Sequence, residues 1–308
     1  MSTLPAAGQP LAIKRLLPPG APASAQEIVE GFGLHHHSSP GFDALAPGAL
    51  TRPRLLLNMV STIDGRATIG GRSGPIGGPA DRQLFHALRT VVDAVMVGAG
   101  TARAERYGRI VREEAARELR RARGLREEPL ACIVSGRLAL DADIPLLADP
   151  QAQVAILTAS QASLSASEQP DGARIEAQVE YIRASSEGRL DLPSALSELR
   201  ERFGIGTVLC EGGPHLNTQL LAAGLVDELF LSLSPKLAGG DASGETLRIL
   251  AGMDLEPPGE LELLGALEHD SHLFLRYGVR GERDGVRGAR AGSTASPPLS
   301  EPPAAPPR

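Results

Sequence analysis

The sequence predicts an α/β protein: a mixed, mostly parallel sheet flanked by helices, with an antiparallel strand pair at its C-terminal end. Three observations carry this expectation. Short apolar runs alternate with helical patterns from residue 54 onward. Pro79 and Pro214 stand where first helical turns should begin. Past residue 227, strands follow one another with no helix between them, which places antiparallel pairing at the end of the chain.

The elements read as follows. Residues 54–60 (RLLLNMV) are a strand, and 79–89 a helix with Leu84, Phe85 and Leu88 as its apolar positions. Residues 93–98 (DAVMVG) are a buried strand and 112–123 a polar helix. Residues 130–135 and 154–158 are strands with β-branched content, and 179–182 is a weaker one. A helix at 193–203, a strand at 207–210, a helix at 214–223 and a strand at 227–234 follow. Residues 261–267 and 272–277 pair antiparallel, and 11–17 could add an edge strand. No internal repeat is present.

A chain of 308 residues with 42% hydrophobic residues can bury a large core. Its Pro, Gly, Ala and Ser concentrate at the ends. Residues 1–50 therefore read as a partly flexible extension, 51–279 as one folded domain, and 280–308 as a disordered tail. The net charge of -6 gives no reason to expect nucleic acid or an anionic membrane as partner. Arg117, Arg120, Arg121, Arg123 and Arg126 alternate with acids and read as a solvated helix face. Cys132 and Cys210 lie in apolar runs and suit buried, reduced thiols. With no apolar leader segment and no membrane-length stretch, the expectation is a soluble, cytoplasmic protein. His35, His36 and His37 could touch a metal, but three adjacent side chains cannot all face one ion. A flexible loop is the favoured reading, and no metal is expected.

Ligands of open α/β sheets bind beyond the carboxyl ends of strands. Two such ends carry glycine clusters, Val97-Gly98-Ala99-Gly100-Thr101 and Glu211-Gly212-Gly213-Pro214. Pro214 suits a first helical turn, so the backbone N–H groups around Gly212, Gly213 and His215 lie at a positive helix end that favours phosphate. Gly98 to Arg103 is not a GxGxxG fingerprint, because Arg103 takes the place of the third glycine. A tight turn without a ligand would explain either cluster alone, whereas two at one sheet edge point to a nucleotide pocket. Asn58, Ser61 and Asp64 interrupt the apolar run that ends the first strand; by itself this is an Asp-Gly turn. The glycine-rich residues 70–78 read as a mobile loop over the site.

In order, NMVSTIDGRA, GRSGPIGG, DRQLFHALR, DAVMVGAGTARAERYG, VLCEGGPHLNTQLLAAGLVDELFLSLSPKLAGG and LFLRY resemble the reductase domain of the riboflavin deaminase-reductase. The resemblance is greatest to the single-domain, actinobacterial-type members of that pyrimidine reductase family and covers about residues 52–277. It implies a dihydrofolate-reductase-like three-layer fold, NADPH as cofactor and a homodimer. It also implies reduction of a ribosylamino-pyrimidine 5′-phosphate to the ribitylamino product, with hydride going to C1′ of the opened ribose. Carried over by motif, Met59, Gly98, Gly100, Thr101 and Glu105 would line the cofactor, and Gly212, Gly213, Pro214 and His215 would hold a cofactor phosphate. Ser135 and Arg137 would meet the adenosine 2′-phosphate. Asn58, Ser73, Arg89 and Glu211 would contact substrate, Arg89 by pairing with its phosphate or else only closing a helix-end salt bridge. Glu211 would accept hydrogen bonds from the pyrimidine or ribose, and Asp64 is the candidate proton donor unless it merely shapes the turn.

The H-x-E and P-C-x-x-C signature of the zinc deaminases is absent, so deamination is not expected. Pro75 and Tyr107 depart from the residue types of bifunctional members in two loops expected to meet substrate. Two other readings stay open: a same-fold NADPH reductase of another carbonyl, imine or pteridine-like substrate, and a non-catalytic NADP-binding protein. A true dihydrofolate reductase is disfavoured by the absence of any Trp.

Overall fold

The structure is a computed structural model describing residues 10–34, 51–140, 144–161, 164, 175–240 and 246–280. In chain order the elements are β1 (Ile13–Leu17), β2 (Gly20–Ala23), α1 (Ala25–Glu30), β3 (Arg54–Thr62), α2 (Pro79–Arg89), β4 (Ala94–Gly98), α3 (Ala99–Ala104), α4 (Glu114–Ala122) and β5 (Leu130–Val134). There follow β6 (Gln153–Thr158), β7 (Gln178–Arg183), β8 (Ser185–Ser186), β9 (Arg189–Leu190), α5 (Leu192–Phe203), β10 (Thr207–Cys210), α6 (Pro214–Ala222), β11 (Glu228–Ser234), β12 (Leu261–His269) and β13 (His272–Val279).

The main sheet has the order β2-β1-β12-β13-β11-β3-β10-β4-β5-β6-β7. Neighbours from β11 to β7 run parallel, and those from β2 to β11 antiparallel. The parallel half is buried on both faces. Leu56, Val95, Val97, Ile133 and Leu209 enter a core shared with α1 and α2, while Leu55, Leu57, Met96, Cys132 and Val208 enter one shared with α5 and α6. Burial on both faces is why these strands read as continuous apolar runs. The three-layer α/β expectation therefore holds, with element ends differing by about two residues where they differ.

The N-terminal half of the first fifty residues departs from a simple edge strand. β2 pairs outside β1, so β1 lies inside the sheet. Ser24 and Glu27 form a capping box that starts α1, and Ile13, Ile28, Val29 and Leu34 are buried in the core. His35, His36, His37 and the tail beyond residue 280 lie outside the described residues. The arginine-rich helix also differs from its expected form. Arg117, Arg121 and Arg123 meet Glu114, Glu127, Glu128 and Glu30 near the surface, but Arg120 is fully buried. Its guanidinium donates to the carbonyls of Arg89, Val92 and Arg126, which closes the C-terminal end of α2. Burial pulls the Arg120 pKa down to about 10, with Asp93 and Glu128 partly countering it.

Carboxylates stitch the amino-terminal edge of the parallel strands. Asp93 accepts from the Gly206 and Thr207 N–H groups, and Asp227 accepts from the Leu55 N–H and from both Nη groups of Arg52. Cys132 and Cys210 are buried and unbridged, and burial pushes the Cys210 thiol up to about 12. No described helix is long and apolar enough to cross a membrane.

Candidate active site

The chain runs outward from β3 through β4, β5, β6 and β7, then returns to insert β10 between β3 and β4. The carboxyl ends of β3, β10 and β4 meet at this return, the place where open α/β sheets bind ligands. Both glycine clusters are there and touch. The Gly98 N–H donates to the Gly212 carbonyl at 2.7 Å. Gly212 has a φ of 92°, a conformation that suits glycine. A Cβ on Gly213 would overlap Thr101 Oγ1. The edge between α3 and α6 is therefore bare backbone that side chains would obstruct.

Beside this edge opens a cleft of about 590 Å³, the size of an ordinary small-molecule site. Asn58, Met59, Ser73, Arg89, Thr101, Glu105 and Glu211 all line it. At its base Arg89, from the last turn of α2, meets Glu211, the residue after β10. Arg89 Nε donates to Glu211 Oε1 at 2.8 Å and Nη2 to Oε2 at 2.7 Å, while Nη1 donates to the Ile110 carbonyl at 3.0 Å. The Tyr107 hydroxyl donates to the same Glu211 Oε2. The Arg89 guanidinium also lies 4.0 Å from the Phe85 ring centroid. Burial alone would lower the Arg89 pKa, but the Glu211 carboxylate and Tyr107 more than offset it and keep the guanidinium charged. Tyr107 is held neutral, first by burial and then by the Glu211 charge, with Arg89 opposing.

The Arg89 fork engages an internal carboxylate, the salt bridge that is the alternative to pairing with a substrate phosphate. Glu211 already accepts three hydrogen bonds, so it faces the cleft as a fixed, partly satisfied anion.

Asp64 also has a different job from proton donor. It lies on the exposed turn after β3 and does not line the cleft. Its Oδ1 accepts from the Thr62 hydroxyl and its Oδ2 from the Ala238 and Gly239 N–H groups, at 3.0 and 2.6 Å. These bonds, led by Thr62, hold the carboxyl below its usual range, so it clamps two loops as an anion. Glu105 Oε1 accepts from the Ser73 N–H and hydroxyl, at 2.8 and 2.9 Å, and so ties the glycine-rich loop to the end of α3. Lys236 donates to the Pro75 and Ile76 carbonyls, and Ile76 is fully buried. The loop expected to be mobile is thus fastened at three points. Ser135 is buried beyond β5, with Arg137 exposed two residues on; both share the sheet edge with Gly98 but stand outside the cleft. His215 is exposed on α6, against Gly252.

Three residues were not singled out as site residues from sequence. Tyr107 was noted only as a departure. Asn217 is buried and donates to Met59 Sδ at 3.2 Å and to the Ile249 carbonyl at 2.9 Å, which fixes the Met59 side chain at the cleft. Asp81 lines the cleft from the first turn of α2, where an acid reads simply as helix-dipole chemistry.

Residues 53–264 match the family model described as the RibD C-terminal domain. The 2,5-diamino-6-ribosylamino-4(3H)-pyrimidinone 5′-phosphate reductase of Methanothermobacter thermautotrophicus is 29% identical over 232 residues, covering 75% of this chain and 100% of the relative. The enzyme of the same name from Archaeoglobus fulgidus is 28% identical over 61% of this chain and 83% of its own length. A crystal structure of a pyrimidine reductase-like protein from Corynebacterium diphtheriae superposes with a TM-score of 0.63 at 25% identity, over 84% of this chain and all of the other.

Proposed function

Because this chain belongs to the family of the RibD C-terminal domain, we propose that it is a reductase of riboflavin biosynthesis that uses NADPH to convert a ribosylamino-pyrimidine 5′-phosphate into the ribitylamino product. The observation that carries the reading is Glu211. This one residue follows directly on β10, opens the glycine edge at Gly212 and Gly213, and presents its carboxylate to the cleft.

The residues present fit a nicotinamide dinucleotide. A Cβ on Gly213 would fill the groove against Thr101, and the nine-residue α6 starts there with no side-chain cap. Gly98, Gly100, Thr101, Gly212 and Gly213, with the helix start at Pro214 and His215, would hold the cofactor. Met59 would border it from β3, while Ser135 and Arg137 would serve an adenosine phosphate at the β5 end. When bound, the cofactor supplies hydride. The chain supplies position and charge. Arg89 and Tyr107 fix Glu211, whose remaining lone pairs are available to pyrimidine N–H or ribose hydroxyl groups. Asn58 and Ser73 complete the polar lining offered to substrate. A cytoplasmic homodimer belongs to the same proposal.

The test is loss of reduced-nicotinamide absorbance with purified protein and each of two freshly made substrates, the diamino pyrimidine and its deaminated counterpart. Substrate-dependent oxidation that Glu211→Ala abolishes supports the reading. NADPH binding with no turnover on either compound overturns it.

A further inference from the structure

Reduction of the opened ribosylamino group adds hydride to C1′ and a proton to the attached nitrogen. With Asp64 committed to a loop clamp, the proton needs another source. We propose that Asp81 is the proton donor, its carboxyl facing the substrate nitrogen across the cleft. The proposal rests on the reductase reading above.

Asp81 lines the same cleft as Asn58, Arg89 and Glu211. The loop before it is shaped around its carboxyl: a Cβ on Gly77 would overlap Asp81 Oδ2. The hydroxyl that acts on its carboxyl is neutral, Ser232 of β11. It forms no ion pair among the described residues. Of the other acids and phenols at the cleft, all but Glu113 are committed, and the His86 imidazole there is held below its usual pKa, first by burial. Glu211 is paired with Arg89, Tyr107 gives its proton to Glu211, and Glu105 holds Ser73. Glu113 is an exposed residue at the N-terminus of α4.

The charged groups acting on Asp81 among the described residues are Arg82, its neighbour on α2, and His272, from β13. Burial raises the Asp81 pKa and outweighs Ser232, His272 and Arg82, which each lower it. A carboxyl raised in this way keeps its proton to higher pH, as a general acid requires.

The step balances. The C1′=N double bond accepts hydride at carbon, and its π electrons move to nitrogen. Nitrogen takes the Asp81 proton, the O–H electrons stay on the carboxylate, and water reprotonates Asp81 after product leaves. The imine is reduced and the nicotinamide oxidised.

The measurement is kcat against pH for wild type, Asp81→Asn and Asp81→Glu, with NADPH affinity followed separately by fluorescence. Wild-type kcat should fall as pH rises through the Asp81 pKa, because the acid form is the active one. Asp81→Asn should lose about 10²- to 10⁴-fold in kcat and that alkaline limb, with NADPH affinity unchanged. Asp81→Glu should recover part of both. An Asp81→Asn protein that keeps its activity, or keeps the alkaline limb at reduced activity, overturns the assignment while leaving the reductase reading intact. A wild type that turns over neither pyrimidine overturns both.

Discussion

Replacing Arg89 by Met removes a guanidinium whose side chain is 10% exposed from a carboxylate that is 3% exposed. Both Arg89–Glu211 hydrogen bonds disappear, and the Glu211 charge keeps only Tyr107. Breaking one side of a buried pair costs about 3–5 kcal/mol. For a domain of this size that is a fall in Tm of about 6–20 °C. Glu211→Gln should cost somewhat less, since it removes the countercharge but leaves Arg89 the Ile110 carbonyl and one amide oxygen as acceptors. The double variant strands neither, so it should be less destabilised than the two singles summed, by about 1–3 kcal/mol. Urea unfolding followed by circular dichroism measures all four corners. Additivity within about 0.5 kcal/mol would refute the pairing. The kinetic side separates the two roles of Arg89. If it bound the substrate phosphate, Arg89→Met would erase the preference for phosphorylated over dephosphorylated substrate. Because the fork is engaged by Glu211, that preference should survive while kcat falls for both.

Three further outcomes follow from the geometry. Tyr107→Phe removes one charge-assisted hydrogen bond to Glu211 and should lower kcat/KM by about 1.5–3 kcal/mol, or 10- to 150-fold, with the fold intact by circular dichroism. Gly213→Ala should weaken NADPH binding at least tenfold in a fluorescence titration, because its Cβ overlaps Thr101 Oγ1; Gly259→Ala, whose Cβ would meet no atom closer than Leu255 Cδ1 at 4.0 Å, controls for glycine loss in general. Arg120→Met leaves three carbonyls without their donor and should cost about 1–3 kcal/mol in urea unfolding, with cofactor affinity unaffected.

The parts of the fold legible in sequence were those with local causes. Pro79 and Pro214 do start helices, and the β3, β4, β5 and β10 runs are apolar because both sheet faces are covered. The capping box at Ser24 and Glu27 is equally local, an S-x-x-E signature within a stretch whose Pro, Gly and Ala content is that of a loop. β2 gave no warning, since Gly20-Ala21-Pro22-Ala23 has no strand propensity and pairs only because β1 lies beside it. Arg120 looked like its four neighbours. Its burial depends on carbonyls at the end of α2, contributed about thirty residues earlier. The site divides the same way. The glycine edge was visible as two strand-end clusters, whereas the commitment of Arg89 to Glu211, across 122 residues, is a tertiary fact no spacing encodes. Asp64 stands out in sequence at the end of the first strand while Asp81 does not, and their surroundings alone separate a clamp from an acid.

The acid-stitched edge of the sheet has a consequence for how this protein can change. Asp93 and Asp227 lock the strand starts from below, and no cleft residue takes part in those bonds. The exposed positions of the loops above can be recharged without loosening the scaffold that holds them. A library that varies the exposed residues 70–72, 74, 106 and 112, while leaving both aspartates and the buried Ile76, Ile110 and Val111 alone, would explore new substrates on an undisturbed frame.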